Sequence, residues 1–257
     1  MKYIHYFETS AEYTQAKASV TDSEPWVSYC ARYNTLTYSP VFSAEYVANG
    51  YEFVDLGLPS GTLWATCNVG AYSPEQSGGY YAWGETETKS GVYGWSAYKF
   101  GGSASGNQTK YNATDGLVEL ELEDDAAHVN MGGAWRMPTL DEFNELKNNS
   151  ELDKNSSLNG VSGTLFTSTI NGNSIFFPYC GIIAHNASSI SQTTSCRVWT
   201  SNISYSLANN SYTYNSGSFM NIRQDTGSSS NSEYRTCGYS IRGVFKASRQ
   251  WYNPLVL

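Results

Sequence analysis

Residues 197–242 constrain this chain more than any other stretch. Between Trp199 and Gly238 more than half of the residues are Ser, Asn, Tyr or Gly, with no Lys and no Trp. A free segment of that composition cannot bury enough apolar surface to offset its chain entropy. This one is bounded by Val198 and Trp199 on one side and by Ile241, Val244 and Phe245 on the other, residues that belong in a core. The fold must therefore grip the segment at both ends and hold it as a tethered polar surface. Tyr gives a large contact area at small rotamer cost, and Ser, Gly and Asn give adaptable hydrogen bonds, so the composition suits recognition. An ordinary polar loop with an edge strand has the same composition, and both readings stay open on composition alone.

The 257 residues allow one large domain, or one domain with an appendage. A formal charge of -8 argues against tracking a phosphate backbone, so no nucleic-acid partner is expected. Charged residues are 15% of the chain and aromatics another 15%, with 21 Tyr, so neutral polar groups and phenols must cover the surface. No apolar run approaches a membrane span, and residues 1–7 lack the apolar core of a signal peptide, so no membrane insertion is expected. Cys30, Cys67, Cys180, Cys196 and Cys237 are odd in number and widely spaced, without the paired spacing of a zinc site, and read as free buried thiols.

Residues 1–45 read as a small β-rich N-terminal appendage. Tyr3 to Phe7 is strand-like, Ser10 to Ala18 helical, and Trp26 to Tyr29 and Thr35 to Tyr38 form a hairpin around Asn34. Two strands alone are marginal in water, so this piece is expected to dock on the main domain, on a larger assembly or on its own copy. A compact domain over residues 46–250 follows, opening with two strands broken by Gly57-Leu58-Pro59-Ser60-Gly61. The acidic stretch Glu119 to Asp125 lacks the alternation and Gly of a calcium loop and reads as a solvated helix face. Thr139 with Glu142 three residues on predicts a capped helix ending near Asn149, with Phe143 and Leu146 inward. Short strands are expected at Leu158 to Gly160, Leu165-Phe166, Ile175 to Pro178 and Gly181 to Ile183. Many short strands with one or two helices indicate an α+β domain.

Several motifs carry a resemblance: Val54-Asp55-Leu56-Gly57-Leu58-Pro59-Ser60-Gly61, Trp64-Ala65, Asn68-Val69-Gly70-Ala71, Tyr80-Tyr81-Ala82-Trp83-Gly84-Glu85, Asp124-Asp125-Ala126-Ala127, Trp135-Arg136-Met137-Pro138-Thr139 and Gly238-Tyr239-Ser240-Ile241-Arg242. Taken in order over about residues 50–246, they resemble the Fibrobacter-type major paralogous domain common in Bacteroidetes. That resemblance implies a C-type lectin-like fold of the formylglycine-generating-enzyme branch. Gly243 departs from the Pro usual in the family at that place. The same fold serves the variable proteins of diversity-generating retroelements, which randomise adenines. Asn codons of the AAC type then reach Ser, Thr, Tyr, Asp, Ile, Gly, Arg and Cys, but never Lys, Trp, Met, Gln or Glu. Between Asn202 and Cys237 only Met220, Gln224 and Glu233 fall outside the reachable set.

Strand alternation through residues 211–215 places Tyr212 and Tyr214 toward the core. The exposed ligand-binding candidates are then Ser204, Tyr205, Asn209, Asn210, Asn221, Arg223, Asp225, Ser228, Ser230, Asn231, Tyr234 and Thr236. Trp199, Arg235, Gly238, Ser240 and Arg242 match family positions and read as scaffold, with Arg242 bonded to a buried carboxylate or to carbonyls.

His5, His128 and His185 show no legible triad, and the late cysteines fit no catalytic motif, so no catalytic residue, metal ligand or cofactor is assigned. The expected function is ligand or receptor binding, as an adhesin on a phage or prophage tail built in the cytoplasm. The alternative is a bacterial-surface or fimbrial adhesin; an enzyme of the formylglycine-generating type is a weaker third reading. The expected partner is a host-cell surface receptor, protein or glycan, met by a homotrimer or a tail-docked copy.

Overall fold

The structure, a computed structural model, describes residues 46–101, 106–225 and 227–246. The expected appendage, with Cys30 and His5, lies outside the described residues.

Twelve strands and two α-helices are seen in this part, arranged as small antiparallel sheets in an α+β fold. Strands β1 (Tyr46–Ala48), β2 (Tyr51–Asp55), β3 (Thr62–Asn68) and β12 (Arg242–Lys246) make a four-stranded sheet in the order β1-β2-β3-β12. The last described strand thus lies against the third, with Val244 opposite Trp64, and fastens one end of the described fold to the other. Gly243 sits at the irregularity between Arg242 and Val244, and a Cβ there would come within 2.6 Å of Met131 Sδ. A side chain at this position would have to displace Met131 and press on the Trp135 ring.

The helices are set by their caps. Asp125 accepts the His128 N–H at 2.9 Å to start α1 (Ala126–Met131). Thr139 and Glu142 form the expected reciprocal capping box of α2 (Leu140–Asn148), which buries Phe143 and Leu146 and is capped at its end by Asn149. The acidic stretch before α1 is a correction in part: Glu119, Glu121 and Glu123 are exposed as expected, but the last two carboxylates are not. Leu122–Asp124 is a single 3-10 turn, and Asp124 and Asp125 are both buried. Asp124 accepts from Lys99, Lys110 and Tyr111 at 2.6 Å each, and Asp125 receives the Met137 N–H at 2.7 Å. These carboxylates are internal acceptors for loop donors, which outweighs the solvation that their charge alone suggests.

A second sheet contains β4 (Ser150–Leu158), β5 (Val161–Ser168) and β6 (Ser174–Pro178). Residues Asn159 and Gly160, expected within a strand, both have positive φ and make the two-residue turn between β4 and β5. After the short pair β7 (Ile182–Ile183) and β8 (Ile190–Ser191) comes a meander of β9 (Ser195–Ser206), β10 (Ser211–Arg223) and β11 (Gly227–Tyr234). Its order is β11-β10-β9.

The base of β9 and β10 divides two cores. Trp199 and Phe219, opposite each other, join an aromatic cluster with Trp83, Trp135, Tyr239 and Phe245. Their neighbours Val198 and Met220, also opposite each other, join the other cluster with Trp64, Phe143, Phe166 and Phe177. A strand pair buried on both faces reads as a continuous buried run. The burial of every residue from Ser216 to Met220 fits that pattern.

Candidate functional site

The site grows out of this doubly buried base. Past Ser204 and Ser216 the β9–β10 ribbon leaves the core and its side chains become accessible. Gly217 lies at the exit, where an added Cβ would stand 2.7 Å from the Trp83 ring and 3.1 Å from Trp199. At the tip, Tyr205 pairs with Tyr212 across the strands, their ring centroids 4.9 Å apart, and Tyr214 follows at 6.2 Å from Tyr212. Leu207, Ala208, Asn209 and Asn210 form the exposed connection, and the Tyr205 hydroxyl bonds the Asn210 side chain.

The expectation that Tyr212 and Tyr214 face the core fails for Tyr212, which is exposed, whereas Tyr214 is half-buried and packs against the aromatic cluster. The register shift between Thr213 and Gly217 inserts extra residues into β10, and the one between Gly217 and Phe219 inserts them into β9. Such bulges break the strict alternation on which that expectation rested.

Of the twelve residues expected to bind ligand, Tyr205, Asn209, Asn210, Asp225, Ser230, Asn231 and Tyr234 are exposed, and Asn221, Arg223 and Ser228 are half-buried. Ser204 and Thr236 are corrections, because both are buried. Ser204 still lies within the inward part of β9. Thr236 belongs to the return segment after β11, where Gly238 exchanges backbone bonds of 2.8 and 2.9 Å with Ile183. Its hydroxyl is 2.7 Å from His185 Nδ1, but its complete burial keeps it from any substrate.

The remaining ten do not make one patch. Tyr205, Asn209 and Asn210 are at the ribbon tip, whereas Arg223, Asp225 and Ser228 flank the β10–β11 turn at the opposite end. The thirteen residues of β10 between those ends span roughly 40 Å. At the turn, Arg223 and Asp225 close on each other through two bonds of 2.8 and 2.7 Å, and Lys154 reaches the Asp225 carbonyl at 3.4 Å. Ser230 and Asn231 occupy the middle of β11.

Tyr234, at the end of β11, has neighbours that the sequence reading did not associate with it. Its ring lies 5.1 Å from His185 and 5.9 Å from Trp95, with His185 and Trp95 6.0 Å apart. No signal in the sequence links residues 95, 185 and 234. Together with the tip tyrosines they give ring faces, phenols and amides with little formal charge, able to stack on apolar or sugar rings and to donate and accept hydrogen bonds.

The scaffold residues are where the motifs placed them. Trp199, Arg235, Ser240 and Arg242 are fully buried. Arg242 donates to Asn68 Oδ1 and to the carbonyls of Ala65, Thr66 and Phe176 at 2.9–3.1 Å, and lies over the Phe177 ring at 4.4 Å. Burial pulls its guanidinium down to about 10, still charged at neutral pH. Burial pushes the Cys237 thiol up to about 11, which leaves it a protonated packing residue.

Glu121, Glu123 and Asp124 bring their carboxylate oxygens within 4.8 Å of one another. Lys110 Nζ stands among them at 2.5, 2.8 and 2.6 Å, so an ammonium occupies the position of a cation there. No helix among the described residues is long and apolar enough to cross a membrane. Comparison with family models, with curated proteins and with solved structures returned no match.

Proposed function

We propose that this chain is a ligand-binding protein of C-type lectin-like fold, in the formylglycine-generating-enzyme branch, whose β9–β11 ribbon is a display surface diversified by a retroelement. We assign it to the receptor-binding end of a phage or prophage tail, where it meets a protein or glycan on the host cell.

The observation that carries this reading is the split within one sheet. The base of the ribbon is buried on both faces, while Tyr205, Tyr212 and Tyr234 beyond it are 43%, 43% and 38% exposed. Large phenols left in water on a rigid support are what a recognition surface requires, since the support limits the entropy lost on binding. Of the three positions unreachable from AAC codons, Met220 fits as well, whereas Gln224 is exposed and Glu233 half-buried. Met220 is buried in the second core, where variation would be costly.

The test is the DNA around the coding sequence. An adjacent reverse transcriptase and a near-copy of the codons for residues 199–242, differing at adenines, are expected. Finding neither, together with a secretion signal encoded upstream of Met1, would favour a bacterial-surface adhesin of the same fold.

A further inference from the structure

Beneath the display ribbon, Cys180 and Cys196 stand in contact, Sγ to Sγ 3.4 Å, although 16 positions separate them in sequence. Both are buried and both are free thiols. The backbone around them is fixed. Gly181 bridges in parallel to Cys196, and its N–H donates to the Ser195 carbonyl at 2.8 Å. The Tyr80 hydroxyl holds the Cys180 carbonyl, and Ser240 Oγ is 3.1 Å from Cys180 Sγ. A disulfide needs the sulfurs to close to about 2.05 Å, a movement that side-chain rotation supplies when the backbones already lie side by side. Among the described residues no other two thiols are in contact.

We propose that Cys180 and Cys196 form a redox site, which a hydroperoxide converts into one internal disulfide tying the start of β9 to the segment after β6. In the first step the Cys180 sulfur attacks a peroxide oxygen. The O–O bond breaks, a sulfenic acid forms, and the departing hydroxide takes the thiol proton to become water. The Cys196 sulfur then attacks the sulfenic sulfur, the S–O bond breaks, and a second water leaves with the Cys196 proton. Two thiols lose two electrons, and one hydrogen peroxide becomes two waters.

The surroundings set this order. The hydrogen-bond contact with Cys196, together with Ser240 and the Arg242 charge, holds the Cys180 thiol below the ordinary range against the opposing effect of burial. Bonding to Cys180 and burial both push Cys196 up, which suits the resolving partner. Cys180 is also the less covered, at 6% exposure against none for Cys196. The bond would fix the strand that carries Val198 and Trp199, the residues by which the ribbon is anchored in both cores.

The experiment treats the reduced full chain with hydrogen peroxide, blocks remaining thiols under denaturing conditions, and maps the digest by mass spectrometry beside a thermal melt. The expected result is a Cys180–Cys196 linked peptide lighter by two hydrogens, and a melting temperature higher by roughly 5 °C or more. Cys196→Ser should lose both effects and Cys67→Ser should keep both. Full blocking of both thiols after oxidation, a linkage through Cys30, Cys67 or Cys237, or Cys180 accumulating as a sulfinic acid beside reduced Cys196 would overturn the site. A linkage without a rise in melting temperature would overturn its stapling role.

Discussion

The side chains that fix this fold are large, buried and polar at one edge. Trp199 stacks on Tyr239 at 4.2 Å and donates its indole N–H to the Tyr81 carbonyl at 2.9 Å. Removing it leaves a large cavity and one hydrogen bond fewer at the Tyr81 carbonyl, so Trp199→Ala should lose on the order of 3–5 kcal/mol in a denaturant titration, as should Trp135→Ala. Arg242→Lys keeps the charge, yet one ammonium cannot reach Asn68, Ala65, Thr66 and Phe176 together. A loss of about 3 kcal/mol is expected from the same measurement. Glu142 gives a pH signature. Burial pushes its carboxyl up, but Arg136 at 2.6 and 2.8 Å, the Thr139 N–H and Thr62 outweigh this and bring it down from 4.5 to about 2. A depressed folded value means that its stabilisation is complete above about pH 4.5 and lost as pH falls toward about 2. Acid titration of stability should therefore be flatter over that window in Glu142→Gln than in wild type.

Among the elements, the features set by local chemistry were legible in the sequence. The capping box of α2 depends only on Thr139 and Glu142, and the break between β2 and β3 on Gly57 to Gly61; both are where the sequence places them. The long β9–β10 ribbon was not legible as such. Its base is buried on both faces and its register is shifted around Gly217, so neither alternation nor apolar content marks it as a strand pair. The candidate surface was found by composition. Its inward exceptions, Ser204 and Thr236, and its outward one, Tyr212, depend on that register. The grouping of Trp95 and His185 with Tyr234 depends on tertiary contact alone. If the exit at Gly217 is as tight as the Trp83 and Trp199 rings make it, Gly217→Ala should cost about 1–3 kcal/mol by overpacking. Thermal melts of this variant check the point, with Gly91→Ala as a comparison where an added Cβ meets nothing within 4 Å.

For the molecule as a whole, the proposed function implies a division of labour: the cores hold the ribbon, and the ligand meets only what projects from it. The separation of the exposed candidates over roughly 40 Å adds that a small ligand can engage the tip or the β10–β11 turn, but not both. Replacing Tyr205, Asn210, Asn231 and Tyr234 together by Ala should change each local contribution to stability by only about 0.5 kcal/mol. The loss of two tyrosine anchors, each worth about 2 kcal/mol, should by contrast weaken binding by more than about tenfold. The most direct test measures host-cell binding by labelled protein and thermal melting in parallel, for the quadruple variant and for Trp199→Ala. The proposed division of labour requires a quadruple variant that melts within a few degrees of wild type and no longer binds, beside a Trp199→Ala protein that melts far lower. A quadruple variant that unfolds while Trp199→Ala stays as stable as wild type, or one that binds undiminished, would contradict it.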